Sequence, residues 1–433
     1  MGPFETAGLA FLAMFALMLL GMPIAFAMLA VGFGGIWLVF GERLAYGVAG
    51  QLAFDTASYE LSVVPMFILM GVLVTKARMS EDLYRLCHSF LGHRRGGLAM
   101  ATVVACGGFA AVCGSSIATA ATMAKVSMPE MRRYGYKDTL ASGSIAAGGT
   151  LGILIPPSVI MVLYGIATGT DIGQLFIAGI IPGLLAIGLY MAAVAAVVRA
   201  DPSAGPAAAR VGWGERMRGF LSIGPVVALF LLIIGGIYFG VFTPTEAAGV
   251  GAFGAFLFAL ARRALSPATF LDALVETVKT TATLFIVLLG ALMFSRFMNL
   301  AGLPAALSAL ITDAGLSPLA VITIVFLIYL VLGCFMESLS MILLTVPIFF
   351  PVVTQLGFDP VWFGIFVVMA TELSMITPPV GLNLFVIQGV IKDVRLAVIY
   401  RGILPFVAAD VVRIGVITAL PGLVLFLPRL MAQ

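Results

Sequence analysis

Residues 96–124 read GGLAMATVVACGGFAAVCGSSIATAATMA, twenty-nine residues without a single charge. Both flanks are basic: positions 76–95 hold five Lys/Arg and 125–137 hold four. Basic loops beside spanning helices mark the cytoplasmic side. A single span would put one flank outside, and two full spans need about 40 residues. The economical reading is a re-entrant hairpin that enters and leaves on the cytoplasmic side. Its tip is Cys113-Gly114-Ser115-Ser116, where glycine permits the turn and serine can cap the returning helix. The alternative is one kinked span.

The composition supports a membrane setting for this hairpin. The 433 residues are 62% hydrophobic and 10% charged, with a mean hydropathy of +1.16, whereas soluble chains carry about 25% charge. At about 20 apolar residues per helix there is room for roughly ten crossings. A net charge of +3 argues against a nucleic-acid surface. The cysteines Cys87, Cys106, Cys113 and Cys334 form no C-x-x-C pair and read as small packing residues. The two histidines, His88 and His93, share one basic loop and leave a zinc site few ligands. None of the five lysines follows a glycine, so no G-K-[ST] phosphate loop exists. There is no H-E-x-x-H, and no intramembrane serine has a histidine partner, so an intramembrane enzyme is disfavoured. The residues describe a polytopic membrane protein, without its own ATPase and not an enzyme.

Near the start, Glu5 precedes the apolar run and no basic n-region exists, which disfavours a cleaved signal peptide despite Ala25-Phe26-Ala27. Positions 7–20 and 22–40 read as retained helices joined near Gly21-Met22-Pro23. Of the 23 Lys/Arg, 19 fall in five segments: 76–95, 125–137, 199–218, 262–279 and 392–401. These read as cytoplasmic, and counting crossings from them places both termini in the periplasm.

Self-comparison shows a repeat. Ser115 matches Ser338, Pro129 matches Pro351, Gly135 matches Gly357, Pro156-Pro157 matches Pro378-Pro379 and Pro182 matches Pro405, with offsets of 222 or 223. Local strings agree: YGY with LGF, LIPPS with ITPPV, AGIIPGLL with RGILPFVA. The crossing count gives the copies opposite orientation, so a second hairpin, about 317–353 with its tip at 337–340, opens outward. An inverted repeat with broken elements is the layout of many secondary transporters.

Each repeat also interrupts a helix in mid-membrane. In 139–168 the interruption runs from Gly148-Gly149-Thr150-Leu151-Gly152 to Pro156-Pro157, and in 361–389 from 371–374 to Pro378-Pro379. Consecutive prolines free carbonyls that the protein or a ligand must satisfy. A hard cation such as Na⁺ suits oxygens of this kind; a proline kink without a ligand is the alternative. The helix N-termini at the serine-bearing tips favour an anion. Glu337 and Glu372 are intramembrane acids of the functional type, and Glu372 reads equally as a buried hydrogen-bond partner or a neighbour of a cation. Thr243-Pro244-Thr245-Glu246 reads as a capping box. Asp410 and Arg413, one turn apart, are expected to pair.

CGSSIATAATM (113–123), MPEMRRYGY (128–136), GTLGILIPPS (149–158), GCFMESLSMILLTVPIFFPV (333–352) and ITPPVGLNLFV (376–386) together resemble the large membrane subunit of the tripartite ATP-independent periplasmic (TRAP) transporters. The resemblance covers nearly the whole chain. It implies an all-α polytopic permease of the elevator type, with an inverted repeat, two re-entrant hairpins and two broken helices. Residues 1–95 and 199–298 would be mainly scaffold and arms. Residues 96–198 and 299–427 would carry the two halves of the moving body. It further implies Na⁺ coupling, uptake of an organic acid anion in a bacterial inner membrane, a separate small four-helix subunit and a periplasmic substrate-binding protein.

Carried onto this chain, the resemblance assigns Na⁺ to Ser115, Ser116, Gly149, Gly152 and Pro156 in the first repeat. In the second it assigns Ser338, Ser340, Glu372, Ser374 and Thr377. Substrate would meet Gly114, Ser116, Thr119, Thr150, Ser340, Pro379 and Asn383. Two positions depart from the pattern: Glu337 stands where aspartate is expected, and Ser374 where glycine is common. An anion channel, or another carrier of the same superfamily, is the competing reading. Closed hairpin tips and the lack of a pore-lining charge ring count against the channel.

Overall fold

The computed structural model describes residues 2–431, and every regular element among them is helical. The chain opens with α1 (Pro3–Leu19), α2 (Ile24–Phe40), α3 (Glu42–Asp55), α4 (Val63–Lys76) and α5 (Met79–Leu91). A first hairpin pairs α6 (Gly97–Cys113) with α7 (Ser116–Arg133). The first broken helix follows as α8 (Asp138–Thr150) and α9 (Val159–Thr168), then α10 (Ile172–Ala200). α11 (Trp213–Tyr238) and α12 (Pro244–Ala261) lead to α13 (Pro267–Leu300) and α14 (Leu303–Asp313). The second hairpin is α15 (Pro318–Leu332) with α16 (Ser338–Gln355), and the second broken helix is α17 (Pro360–Ser374) with α18 (Leu382–Val390). α19 (Leu396–Ala419) and α20 (Gly422–Met431) close the chain. Among the described residues, seven helical segments are long and apolar enough to cross a membrane. Large apolar side chains such as Leu19, Leu38, Leu231 and Phe253 face outward, which suits hydrocarbon and not water.

The repeat found in the residues is a repeat of helices. Ser116 and Ser338 open α7 and α16, Asp138 and Pro360 open α8 and α17, and Val159 and Leu382 open α9 and α18. The N-cap positions refine one pairing: Ser115 stands opposite Glu337, so Ser116 and not Ser115 is the partner of Ser338.

Local chemistry explains most boundaries. Ser158, Asp171, Ser266, Ser317 and Asp359 each cap the helix that follows with a side-chain oxygen. The Thr243–Glu246 capping box is present, with Thr243 N–H donating to Glu246 at 2.8 Å. The segments that lead into the two repeats are built differently: the first is the separate helix α3, whereas the second is continuous with its span in the 34-residue α13. From Phe270 to Gly290 the sequence has no proline or internal glycine to stop it, so the helix runs on for about 51 Å. The last long helix, α19, ends at Ala419 because Pro421 cannot continue a helix.

Two packed groups meet around the hairpins. In one, α2 lies along α13 and α4 along α12. In the other, α8 is held between α7 and α19. Glycine makes the closest approaches possible: a Cβ at Gly143 or Gly402 would strike the backbone of the facing helix. Small residues of this kind let membrane helices touch backbone to backbone, and this contact joins the first repeat to the second. In the basic loops, Arg132 reaches Asp138 at 2.9 Å and Asp393 at 2.7 Å, and Lys137 reaches Asp201 at 2.5 Å. These cations hold the Asp393 and Asp201 carboxyls below the usual range.

Candidate ion and substrate site

The first tip is built as its residues dictate. α6 ends at Cys113, Gly114 turns the chain with φ +63°, and Ser115 caps α7 by accepting from Ala118 N–H at 3.4 Å. Thr119 donates its hydroxyl back to the Ser115 carbonyl at 2.7 Å. The break of the same repeat lies directly against this tip. A Cβ on Gly152 would sit 2.5 Å from the Ser115 carbonyl oxygen and 2.8 Å from Thr119 Oγ1, and one on Gly149 would sit 2.7 Å from Ala120 Cβ. Glycine at 149 and 152 is therefore required for the tip and break to touch. One freed carbonyl, Ile153 O, is satisfied by the Ser158 hydroxyl at 2.6 Å.

The second break reaches across to the first tip. Asn383, in the first turn of α18, donates from Nδ2 to Ser116 Oγ at 2.6 Å; its Oδ1 is buried without a partner. Around Pro378-Pro379 the backbone is well satisfied. Thr377 donates to Leu373 O at 2.6 Å, and Tyr400 donates to Pro379 O at 2.5 Å and Val380 O at 2.8 Å. At the second tip, Glu337 is the N-cap but does not cap, and Ser340 Oγ lies 3.5 Å from its Oε1. Ser374 packs against Gly333 in the turn and donates to Thr371 O at 2.7 Å.

Both tips face one cavity of about 280 Å³. Gly114, Ser115, Ser116, Glu337 and Ser338 line one side, and Thr75, Glu276 and Thr280 of α4 and α13 line the other. No Lys or Arg lines it, so positive potential on the protein side comes from the N-termini of α7 and α16. Thr119 and Ser340, in the first turns of α7 and α16, are both fully buried and do not line this cavity. The remaining lining is largely apolar, and the polar side chains at this meeting point are hydroxyls and the two carboxylates Glu276 and Glu337.

Thr150 and Glu372 go elsewhere. Arg413 Nη2 donates to Glu372 Oε2 at 2.7 Å and lies 2.9 Å from Asp410 Oδ1. Tyr190 donates to Asp410 Oδ2 at 2.6 Å, and its hydroxyl lies 3.4 Å from Thr150 Oγ1. All five side chains are fully buried. The expected Asp410–Arg413 pair is present, and Glu372 is a buried hydrogen-bond partner within the same cluster. Three participants were not foreseen: Glu276 in the cavity wall, Tyr190, and the Arg413 link to Glu372. The repeat itself held the signal. Thr150 and Glu372 are 222 apart, Tyr190 and Arg413 are 223 apart, so a contact in one copy maps onto the contact in the other.

Residues 11–423 match the family model described as the tripartite ATP-independent periplasmic transporter, DctM component. The chain is 38% identical over 393 residues to a C4-dicarboxylate TRAP transporter large permease of Pseudomonas aeruginosa, covering 90% of this chain and 91% of that one. It is 33% identical to the sialic acid TRAP large permease of Vibrio cholerae, covering 96% of each. To an ectoine/5-hydroxyectoine TRAP large permease of Ruegeria pomeroyi it is 35% identical, covering 96% of this chain and 97% of that one. Among solved structures, the YdaH transporter of Alcanivorax borkumensis shares the fold at a TM-score of 0.63 and 13% identity, over 86% of this chain and 88% of that one.

Proposed function

The chain belongs to the DctM component family of tripartite ATP-independent periplasmic transporters, and we propose that it couples a Na⁺ gradient to uptake of a carboxylate-bearing solute. One observation carries this reading: the tip of one hairpin touches the break of its own repeat and, through Asn383 and Ser116, the break of the other, beside a shared cavity. Such a meeting point can bind ions and solute together and can move only as a unit. Na⁺ would be carried by oxygens of Ser115, Ser116, Gly149, Gly152 and Pro156, and by those of Ser338, Ser340, Ser374 and Thr377, while Glu372 is engaged by Arg413. The relatives are described as carrying C4-dicarboxylates, sialic acid and ectoines, so a small solute with at least one carboxylate suits the two helix N-termini.

The cavity wall at Thr75, Glu276 and Thr280 adjoins the basic segments 76–95 and 262–279. With those segments cytoplasmic, this conformation is open inward. Exposure to the other side would require the hairpins and broken helices to shift against α2, α4, α12 and α13, an elevator movement. A small four-helix subunit would dock on the outward apolar faces of α2 and α11, and a periplasmic binding protein would deliver the solute to the inner membrane.

Two outcomes follow. In proteoliposomes holding the chain, its small subunit and its binding protein, uptake of the delivered acid should saturate and require inward Na⁺. Ser115→Ala should weaken Na⁺ dependence about 5- to 150-fold, equivalent to about 1–3 kcal/mol of lost contacts. Unsaturable flux without Na⁺ would favour a channel, and unchanged Na⁺ dependence would remove Ser115 from the site. The topology is tested separately. In a cysteine-free background, Arg85→Cys and Arg133→Cys, whose side chains are 74% and 77% exposed, should react with an impermeant thiol reagent only after the cells are permeabilised. Labelling of one of them in intact cells would turn the first hairpin into a simple span.

A further inference from the structure

The wall that faces the hairpin tips carries a pair of opposite charges that the ion and solute site does not use. On α13, Glu276 stands one turn before Thr280, and on α4, Lys76 directly follows Thr75. Lys76 Nζ lies 3.3 Å from Glu276 Oε2, and among the described residues neither has another ion-pair partner. Glu276 lines the cavity and Lys76 does not, so the ammonium acts on the cavity by covering the carboxylate. Both side chains keep contact with water, at 32% and 53% exposure. Ion pairs exposed to this degree are weak and exchange partners readily.

The position of the pair gives it a consequence. Anything that passes through this cavity moves between Ser115, Ser116 and Ser338 on one side and Glu276 on the other. Ile68, Val72, Ile160 and Leu284 supply much of the remaining wall, and low-dielectric walls focus the field of the few charges in a cleft. A bare Glu276 would hold cations and repel anions, and a bare Lys76 would do the reverse. Paired, they leave the passage near neutral, and each half can turn to an ion of opposite sign. We propose that Lys76 and Glu276 are the charge filter of this mouth, the ammonium admitting anions to the tips and the carboxylate admitting cations. This rests on the reading of the cavity as the inward mouth of a carrier that passes Na⁺ and a carboxylate. A lysine in the last turn of α4 also complements the helix dipole, and the pair also ties α4 to α13. Neither of those roles sets the sign of what enters.

The test reads that sign directly. Cys113 lines the same cavity at the first tip and serves as the reporter, with Cys87, Cys106 and Cys334 replaced by alanine. For the full chain in lipid nanodiscs at low ionic strength, where screening is weak, its rates of reaction with the anionic sulfonatoethyl and the cationic trimethylammonioethyl methanethiosulfonate are measured. Their ratio cancels the reactivity of the thiol itself. Lys76→Gln should slow the anionic reagent and speed the cationic one, about threefold each and about tenfold in the ratio, the size expected of one charge near the path. Glu276→Gln should move the ratio as far the other way. Lys76→Arg should leave it unchanged, and the double glutamine variant should return it to the wild-type value. If Cys113 reacts with neither reagent, Thr280→Cys on the facing wall becomes the reporter, and the same signs are required. The proposal is overturned if either glutamine substitution leaves the ratio in place, as a role in packing would. It is equally overturned if both move it in one direction, if Lys76→Arg moves it as Lys76→Gln does, or if the double variant stays displaced. The labelling needs neither a Na⁺ gradient nor a transported solute. Its failure would therefore leave the transport reading standing, and a failure of Na⁺-driven uptake would leave the filter standing.

Discussion

Arg413→Leu is expected to destabilise the protein by about 3–5 kcal/mol, the usual cost of removing one partner of a buried ion pair. That is a large share of a net stability of about 5–15 kcal/mol. The reason is what remains. Glu372 and Asp410 would lose the only cation paired with them among the described residues, both fully buried, with Tyr190 able to donate to just one of them. Unfolding of the purified chain in mixed micelles, titrated with a denaturing detergent, would read the loss. Combining Arg413→Leu with Glu372→Gln and Asp410→Asn should regain most of it, because a neutral cluster leaves no charge stranded. A stable Arg413→Leu, or a triple variant no better than the single one, would show that the cluster does not hold α17, α19 and α10 together.

Why this cluster escaped the residues, when so much else did not, is a matter of range. The first tip, the two proline breaks and the Thr243–Glu246 cap rest on glycine, proline, serine and the placement of charge, and each acts within a few positions. The Asp410–Arg413 pair was legible for the same reason, being one helical turn long. Glu372 meets Arg413 from 41 positions away, and no local pattern tells a buried ion pair from an ion ligand. Glu276 was hidden differently: it falls within the basic segment 262–279, and only the continuity of α13 turns it toward the tips. The register of the repeat was the one long-range signal available. It places Thr150 beside Tyr190 wherever it places Glu372 beside Arg413, a hydroxyl pair in one copy and an ion pair in the other.

The same register frames the second large effect. Ser374 is the counterpart of Gly152, 222 positions away, yet it carries a side chain where the first repeat tolerates none. The fold shows where the room comes from: Gly333, in the turn of the second hairpin, has no Cβ, and one added there would collide with Ser374 Oγ and Cβ. Gly333 has φ −64°, a conformation alanine adopts freely, so space alone forbids the substitution. Gly333→Ala should therefore push the second tip off its break, at an overpacking cost of about 1–3 kcal/mol. Expressed in binding of Na⁺ or solute, that is about 5- to 150-fold. Ser374→Gly should be mild by itself, since the hydroxyl it removes is donated to Thr371 O and glycine keeps the main-chain carbonyl that would serve Na⁺. Together the two changes should restore uptake, the signature of direct contact in a double-mutant cycle. Uptake and Na⁺ dependence in proteoliposomes, with size-exclusion profiles to confirm folding, decide it. If Gly333→Ala transports like wild type, or if Ser374→Gly fails to rescue it, the second tip does not depend on this contact, and the longer side chain at 374 needs another explanation.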